Sequence, residues 1–281
     1  MTIRARMVGL VFLCAGATHA WIDTGHMVVA AIAESRLTPR AKSLAWELLK
    51  VGGTPRTSTF VTAACWADDT KTRDNGPWHY INQHFRDDNR PTANQPLSEN
   101  VVWAIERFRA ALADTRQPAK ERADALRYLL HFVGDIHQPL HTVARDTEEH
   151  PEGDRGGNLF PVQRPPSWTE EPRQLHLLWD FGCGAFMPVR RPLDAEGQRA
   201  IRDQAAAIIR EFPPSKFAEL RQMDPMQWAR EGLTLAKGYV YAMRPGDVPS
   251  PQYLEQGARL CRKRAALAGY RLAALLNAVL K

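Results

Sequence analysis

Leu126-Arg127-Tyr128-Leu129-Leu130-His131-Phe132-Val133-Gly134-Asp135-Ile136-His137-Gln138-Pro139-Leu140-His141 carries two patterns at once. Leu126, Leu129, Leu130 and Val133 recur at the spacing of one helix face, and the pattern begins at Ala119, which predicts a helix from there to about Gln138. His131 and Asp135 stand four residues apart, so in that helix they share a face and can grip one cation. His137 lies two residues past Asp135 and therefore projects about 200° away from it, at roughly 100° per residue. It reads as a packing histidine. Pro139 lacks a backbone donor and ends or kinks the helix, which lets His141 face a different ion.

Helical spacing persists in both directions from this stretch. His26 to Arg36 is amphipathic, and Thr38-Pro39 supplies a cap and a first-turn proline for a second helix that stops at Gly52-Gly53. Phe60 to Asp69 reads as a third. Ser98 is the expected cap of a segment with Val101, Val102, Ile105, Phe108 and Leu112 on one face. Asp194 to Glu211, Asp224-Pro225 to Met243, and Pro251 to Leu280 complete the set. No Val/Ile/Thr-rich alternation is long enough for a central sheet, so the fold class expected is all-α, one mainly helical domain over residues 21–281. Arg73 to Pro96 and Thr147 to Pro172 resist the helical reading, and loops of this length beside histidines point to function.

With 44% hydrophobic and 24% charged residues among 281, the chain has apolar mass for a core, which excludes a disordered protein. Its longest apolar run, Met7 to Ala17, is far short of the roughly 20 residues a spanning helix needs, so no stable membrane association is expected. That run follows Arg4 and Arg6 and precedes the small-residue stretch Thr18-His19-Ala20. Together they predict a secretory leader over residues 1–20, cleaved before Trp21, and a secreted or periplasmic mature protein. Losing Arg4 and Arg6 takes the formal charge from +6 to +4, a mildly basic balance that suits a polyanionic substrate. Cys65, Cys183 and Cys261 remain, without metal-type spacing. One disulfide and a spare thiol are compatible with an oxidising compartment, and the spacing selects no pair.

Histidines and aspartates recur in short frames: Trp21-x-x-x-Gly25-His26, Trp66-Ala67-Asp68, Trp78-His79-Tyr80-Ile81-Asn82, His131-x-x-x-Asp135 with His141, and His176-x-x-x-Asp180. One such His/Asp pair alone is usually a surface hydrogen bond. Two pairs joined by three further frames make a metal cluster the better reading. Imidazole and carboxylate without thiolate suit catalytic zinc, which keeps a position open for water. His84 and His150 stand in the loops without a partner frame and are expected to face solvent.

In this order the frames resemble the S1/P1 nuclease family, zinc-dependent single-strand nucleases and 3′-nucleotidases of the zinc phospholipase C superfamily. Cys65-Trp66-Ala67-Asp68, Leu130 to His141, Gly156-Gly157-Asn158 and Leu175-His176-Leu177-Leu178-Trp179-Asp180 carry the likeness, with weaker echoes at Trp228-Ala229-Arg230-Glu231 and Ala268 to Ala273. The resemblance implies three Zn2+ in a cluster at the base of a cleft. Asp68, His79, His131 and Asp135 would hold one; the amino nitrogen and carbonyl of Trp21, with His26 and Asp135, a second; and His141, His176 and Asp180 a third. It also implies that Asp68 and Asp135 serve catalysis, and that Lys71 neutralises charge on the phosphoryl oxygens. Tyr80, Asn82, Gly156 and Asn158 match positions that form a base site, although family members often have Asp where this chain has Asn82. Implied partners are single-stranded DNA and RNA and 3′-mononucleotides, cut by a monomer to leave 5′-phosphate ends. The competing readings are a zinc-dependent phospholipase C and a zinc-binding protein that does no chemistry.

Overall fold

The computed structural model describes residues 21–281; the leader expected over residues 1–20 lies outside them. Ten α-helices are present among the described residues, and none is long and apolar enough to cross a membrane. Helix α1 (Asp23–Glu34) is apolar on nearly every face, with Met27, Val28, Val29, Ala30, Ile32 and Ala33 all buried, so it can be stable only inside other helices. It crosses α10 (Pro251–Val279) and α8 (Ala195–Glu211). At the α1–α10 crossing, a Cβ on Gly269 would stand 2.5 Å from Ile32, so only glycine permits the approach. Helices α5 (Val101–Ala113) and α6 (Ala119–Asp135) pack as a pair, and α2 (Pro39–Leu49) lies against α6.

The local signals act largely where the sequence places them. Thr38 caps α2 through Ala41 N, Asp224 caps α9 (Pro225–Leu235) through Met226 N, and Ser250 caps α10 through Tyr253 N, each with proline in the first turn. Several boundaries differ from expectation, beginning with α1, which starts at Asp23 rather than His26 and is apolar nearly all round rather than amphipathic. Asn100, not Ser98, caps α5, because its side-chain oxygen accepts from Val102 N and Trp103 N. Helix α6 ends at Asp135, three residues before Gln138, and Pro139 opens a 3-10 turn, Pro139–Thr142. Helix α9 gives way at Ala236–Val240 to a π turn. The helix expected over Phe60 to Asp69 is two short ones, α3 (Phe60–Ala63) and α4 (Trp66–Asp69), broken at Ala64-Cys65.

A two-stranded parallel sheet was not anticipated. Strand β1 (Gln83–Phe85) pairs with β2 (Val143–Arg145), with Gln83 opposite Val143 and Phe85 opposite Arg145. Three residues per strand are too few for alternation to register in sequence. His84 lies in β1 and not in solvent: its Nδ1 is 2.6 Å from Asp146 Oδ1, and its side chain is only 7% exposed. Asp146 also accepts from Thr92 and Asn94, which pins residues 86–94 to β2. His150 is half-buried, its backbone closing the turn with Thr147 and Gly153. Cys65, Cys183 and Cys261 are buried thiols. Helix α7 (Leu175–Asp180) follows the long 147–172 stretch, which contains no helix.

Candidate metal centre

Six segments bring their His and Asp side chains together, four of them helices: α1 supplies His26, α4 Asp68, α6 His131 and Asp135, and α7 His176 and Asp180. His79 ends the 3-10 turn Gly76–His79, and His141 sits in the turn after α6. These two histidines lie just before the β1–β2 ladder in their segments. Ile81 N donates to the His141 carbonyl (2.9 Å), and His141 Nδ1 donates to the His79 carbonyl (2.9 Å). The small sheet thus fastens one metal-bearing segment to the other.

Around Asp135 Oδ2 stand His79 Nδ1 at 3.1 Å and His131 Nε2 at 3.3 Å, and the two ring nitrogens are 3.1 Å apart. Asp68 Oδ1 closes this group, 3.6 Å from His79 Nδ1 and 3.7 Å from His131 Nε2. The second oxygen of Asp135 faces the other way, 3.4 Å from His26 Nε2. One carboxylate therefore faces His79 and His131 with one oxygen and His26 with the other. A separate group places His141 Nε2 and His176 Nε2 3.0 Å apart, with Asp180 Oδ2 3.5 Å from His176.

The donor chemistry fits cations. His131 Nδ1 lies 2.7 Å from the Ala64 carbonyl, and His176 Nδ1 lies 2.7 Å from the Gly156 carbonyl. His141 has the same arrangement on His79. A carbonyl accepts only, so each Nδ1 carries the proton, and in the neutral rings of His141 and His176 each Nε2 turns a lone pair inward. Facing lone pairs 3 Å apart repel unless a positive charge lies between them. Asp68 Oδ1 and Asp135 Oδ1 are buried and accept no hydrogen bond among the described residues, which again suits a cation. Burial pushes the His141 pKa well below its ordinary value and that of His176 to about 4, so both rings stay neutral and able to ligate. Burial raises Asp135 to about 6 and pushes Asp180 well up, a penalty that a cation beside them removes. His137 uses both nitrogens elsewhere, Nδ1 on the Val133 carbonyl (2.8 Å) and Nε2 against Arg271 Nη1 (3.0 Å), as a packing residue should.

Local structure explains the placement. The break between α3 and α4 turns the Ala64 carbonyl towards His131. A Cβ on Gly134 would lie 2.8 Å from His26 Nδ1, so glycine there lets α1 and α6 close until the His26 and His131 rings stack at 3.8 Å. Arg191 bonds Asp23 at the start of α1 (2.6 Å) and Asp69 on α4 (2.7 Å), fixing the neighbour of Asp68. Gln138 Nε2 donates to Asp180 Oδ1 at 2.7 Å. Sequence reasoning missed Arg191 and Gln138 as positioning groups, since a lone Arg or Gln carries no spacing signal.

Trp21 is fully buried against Phe186, and the adjoining Ile22 N donates to the Asp180 carbonyl at 3.1 Å, so the first described residues pack beside the cluster. Lys71 Nζ stands 4.0 Å from Asp68 Oδ1 and is 19% exposed. Tyr80 and Asn82 flank Ile81 on the half-buried strand approach, and burial raises the Tyr80 pKa against the opposing charge of Arg155. Gly156 has φ +61, and a Cβ there would run into the Leu140 carbonyl. Asn158 Nδ2 donates to the Arg155 carbonyl at 2.8 Å. A cavity of about 650 Å³ between α1, α2, α3 and α8 is lined by Trp46, Phe60 and Ile201, and by none of these residues.

The chain resembles known proteins over nearly its whole length. Nuclease P1 of Penicillium citrinum is 33% identical over 288 residues, covering 92% of this chain and 97% of that protein. Nuclease S1 of Aspergillus oryzae is 27% identical, covering 93% and 92%, and Endonuclease 2 of Arabidopsis thaliana is 26% identical, covering 93% and 91%. The profile described as S1/P1 Nuclease matches residues 21–281, which include every His and Asp of the cluster. A helical fold built around these groups, matched over its whole described length, belongs to the S1/P1 nuclease family.

Proposed function

We propose that this chain is an exported, monomeric three-zinc hydrolase. It would cut phosphodiester bonds in single-stranded DNA and RNA to leave 5′-phosphate ends, and remove phosphate from 3′-mononucleotides. The observation that carries the reading is Asp135, one of whose oxygens faces His79 and His131 while the other faces His26, with a His141/His176/Asp180 group nearby. Asp68, His79, His131 and Asp135 would hold one zinc; His26, Asp135 and the amino nitrogen and carbonyl of Trp21 a second; His141, His176 and Asp180 a third. Bound zinc supplies an activated water near neutral pH and charge stabilisation for phosphoryl and leaving oxygens.

The protein's own groups do the rest. Lys71 lies beside Asp68 and would hold a non-bridging phosphoryl oxygen by its positive charge, as a point charge rather than a bidentate clamp. Tyr80 would stack a base, and Asn82, Asn158 and the Gly156 backbone would bond its edge. An unpaired strand can splay a base into such a site, whereas a stacked duplex cannot without unpairing. The amide of Asn82 donates as well as accepts, which widens the bases it can meet.

Hydrolysis of single-stranded DNA, RNA, 3′-AMP and phosphatidylcholine, each with and without chelator, tests the reading. Chelator-sensitive cleavage of the nucleic acids and 3′-AMP is expected. Lipid cleavage without nucleotide cleavage would instead identify a phospholipase C, and silence on all four substrates a zinc-binding protein without chemistry.

A further inference from the structure

Immediately after Asp180 the chain reads Phe181-Gly182-Cys183-Gly184. Cys183 has φ +52 and ψ +32, a left-handed conformation that is uncommon for a residue with a side chain, and its glycine neighbours also have positive φ. Glycine would relieve that strain, so the thiol is retained at a conformational cost. Its sulfur points at α10. A Cβ on Gly257 would stand 2.6 Å from Cys183 Sγ, so Gly257 forms a notch that admits the sulfur. Cys261 is one helical turn further along the same face, buried, with its thiol close to that of Cys183. Cys65 is engaged elsewhere, with its sulfur 3.6 Å from the Asp23 carbonyl.

We propose that Cys183 and Cys261 are joined by a disulfide in the mature protein. The cross-link ties the turn that follows α7, and with it His176 and Asp180, to the longest helix of the fold. Two S–H bonds break and one S–S bond forms. The two electrons and two protons pass to a disulfide oxidant, a protein dithiol oxidant of the exporting compartment or oxidised glutathione, through a mixed disulfide. Desolvation by burial, then the neighbouring Cys261 thiol, raise the Cys183 thiol pKa, so the closed protein exchanges slowly and the bond forms as the chain folds. In the cell this depends on the proposed export, because such bonds persist in oxidising compartments.

Refolding decides the matter independently of export. Residues 21–281, unfolded in reductant, are refolded with zinc in a glutathione redox buffer, alkylated, and digested without reduction. Peptides containing Cys183 and Cys261 should be recovered joined, two hydrogens lighter than their sum, with Cys65 alkylated. Alkylation of all three thiols, or a link involving Cys65, overturns the proposal. The melting temperature of the oxidised protein should fall on adding reductant, and that of Cys183→Ser, Cys261→Ser and the double variant should not respond. An oxidised wild type whose melting is unmoved by reductant would also overturn it. If a variant fails to fold, the wild-type peptide map still decides. The readout is a covalent link rather than turnover, so its failure leaves the zinc hydrolase reading standing.

Discussion

Asp135 and Lys71 show how far single residues were legible. The i, i+4 spacing of His131 and Asp135, and of His176 and Asp180, is a direct consequence of helix geometry, and the structure keeps both pairs on one face. Spacing could not tell which carboxylate oxygen turns to which partner, because that depends on how α1 approaches α6. Lys71 has no pattern of its own beyond following Asp68 by three residues, and only its position at the edge of the cluster gives it a role. Lys71→Ala should lower kcat on single-stranded DNA by about 10²–10³ while leaving zinc content unchanged, with partial recovery in Lys71→Arg. Metal analysis beside initial rates checks this; a variant with full kcat removes Lys71 from catalysis. Gln138 acts through Asp180, so Gln138→Ala should weaken one zinc about 10–100-fold, read by competition with a chelator. Unchanged retention of all zinc would mean that Asp180 needs no such support.

Among elements, long helices with capped ends were readable and short ones were not. Thr38-Pro39, Asp224-Pro225 and Ser250-Pro251 start helices where their chemistry dictates. Phe60 to Asp69 reads as continuous in sequence because Phe-Val-Thr-Ala-Ala-Cys-Trp-Ala-Asp-Asp contains no Gly or Pro to break a helix. The break arises from tertiary demand, since His131 takes the Ala64 carbonyl. The β1–β2 ladder escaped for want of length, and with it the pairing of His84 with Asp146. At the α1–α6 contact, Gly134→Ala should destabilise the protein by about 1–3 kcal/mol, although alanine favours helices, because the added methyl meets His26. Denaturant titration of the variant measures this, and a gain in stability would show that His26 yields without strain.

Over the whole molecule, the first described residues and the far helix both bear on the cluster. Trp21 is buried and Ile22 is tied to Asp180, so an additional residue left before Trp21 should cost one zinc per chain. Normal zinc content in such a protein would exclude the terminal amine as a ligand. Behind the cluster, Arg264 and Arg271 of α10 bond Glu231, while Arg264 also holds the His137 carbonyl. Burial alone would raise the Glu231 pKa, but the hydrogen bond to Arg271 and the charges of both arginines outweigh it, so the net shift is downward. A carboxyl lowered on folding contributes stability above its ordinary value of 4.5, lost as pH falls through the lower folded value. The stability advantage of wild type over Glu231→Gln should therefore be constant near neutrality and shrink below about pH 4.5. A gap independent of pH down to strong acid would refute it. The three imidazoles anchored on the carbonyls of Ala64, His79 and Gly156 have a different consequence for descent with modification. Every amino acid brings the same C=O, so any exchange that the buried surroundings of Ala64 can accommodate leaves that acceptor in place, and drift there is limited by packing and backbone path rather than by the ligand itself.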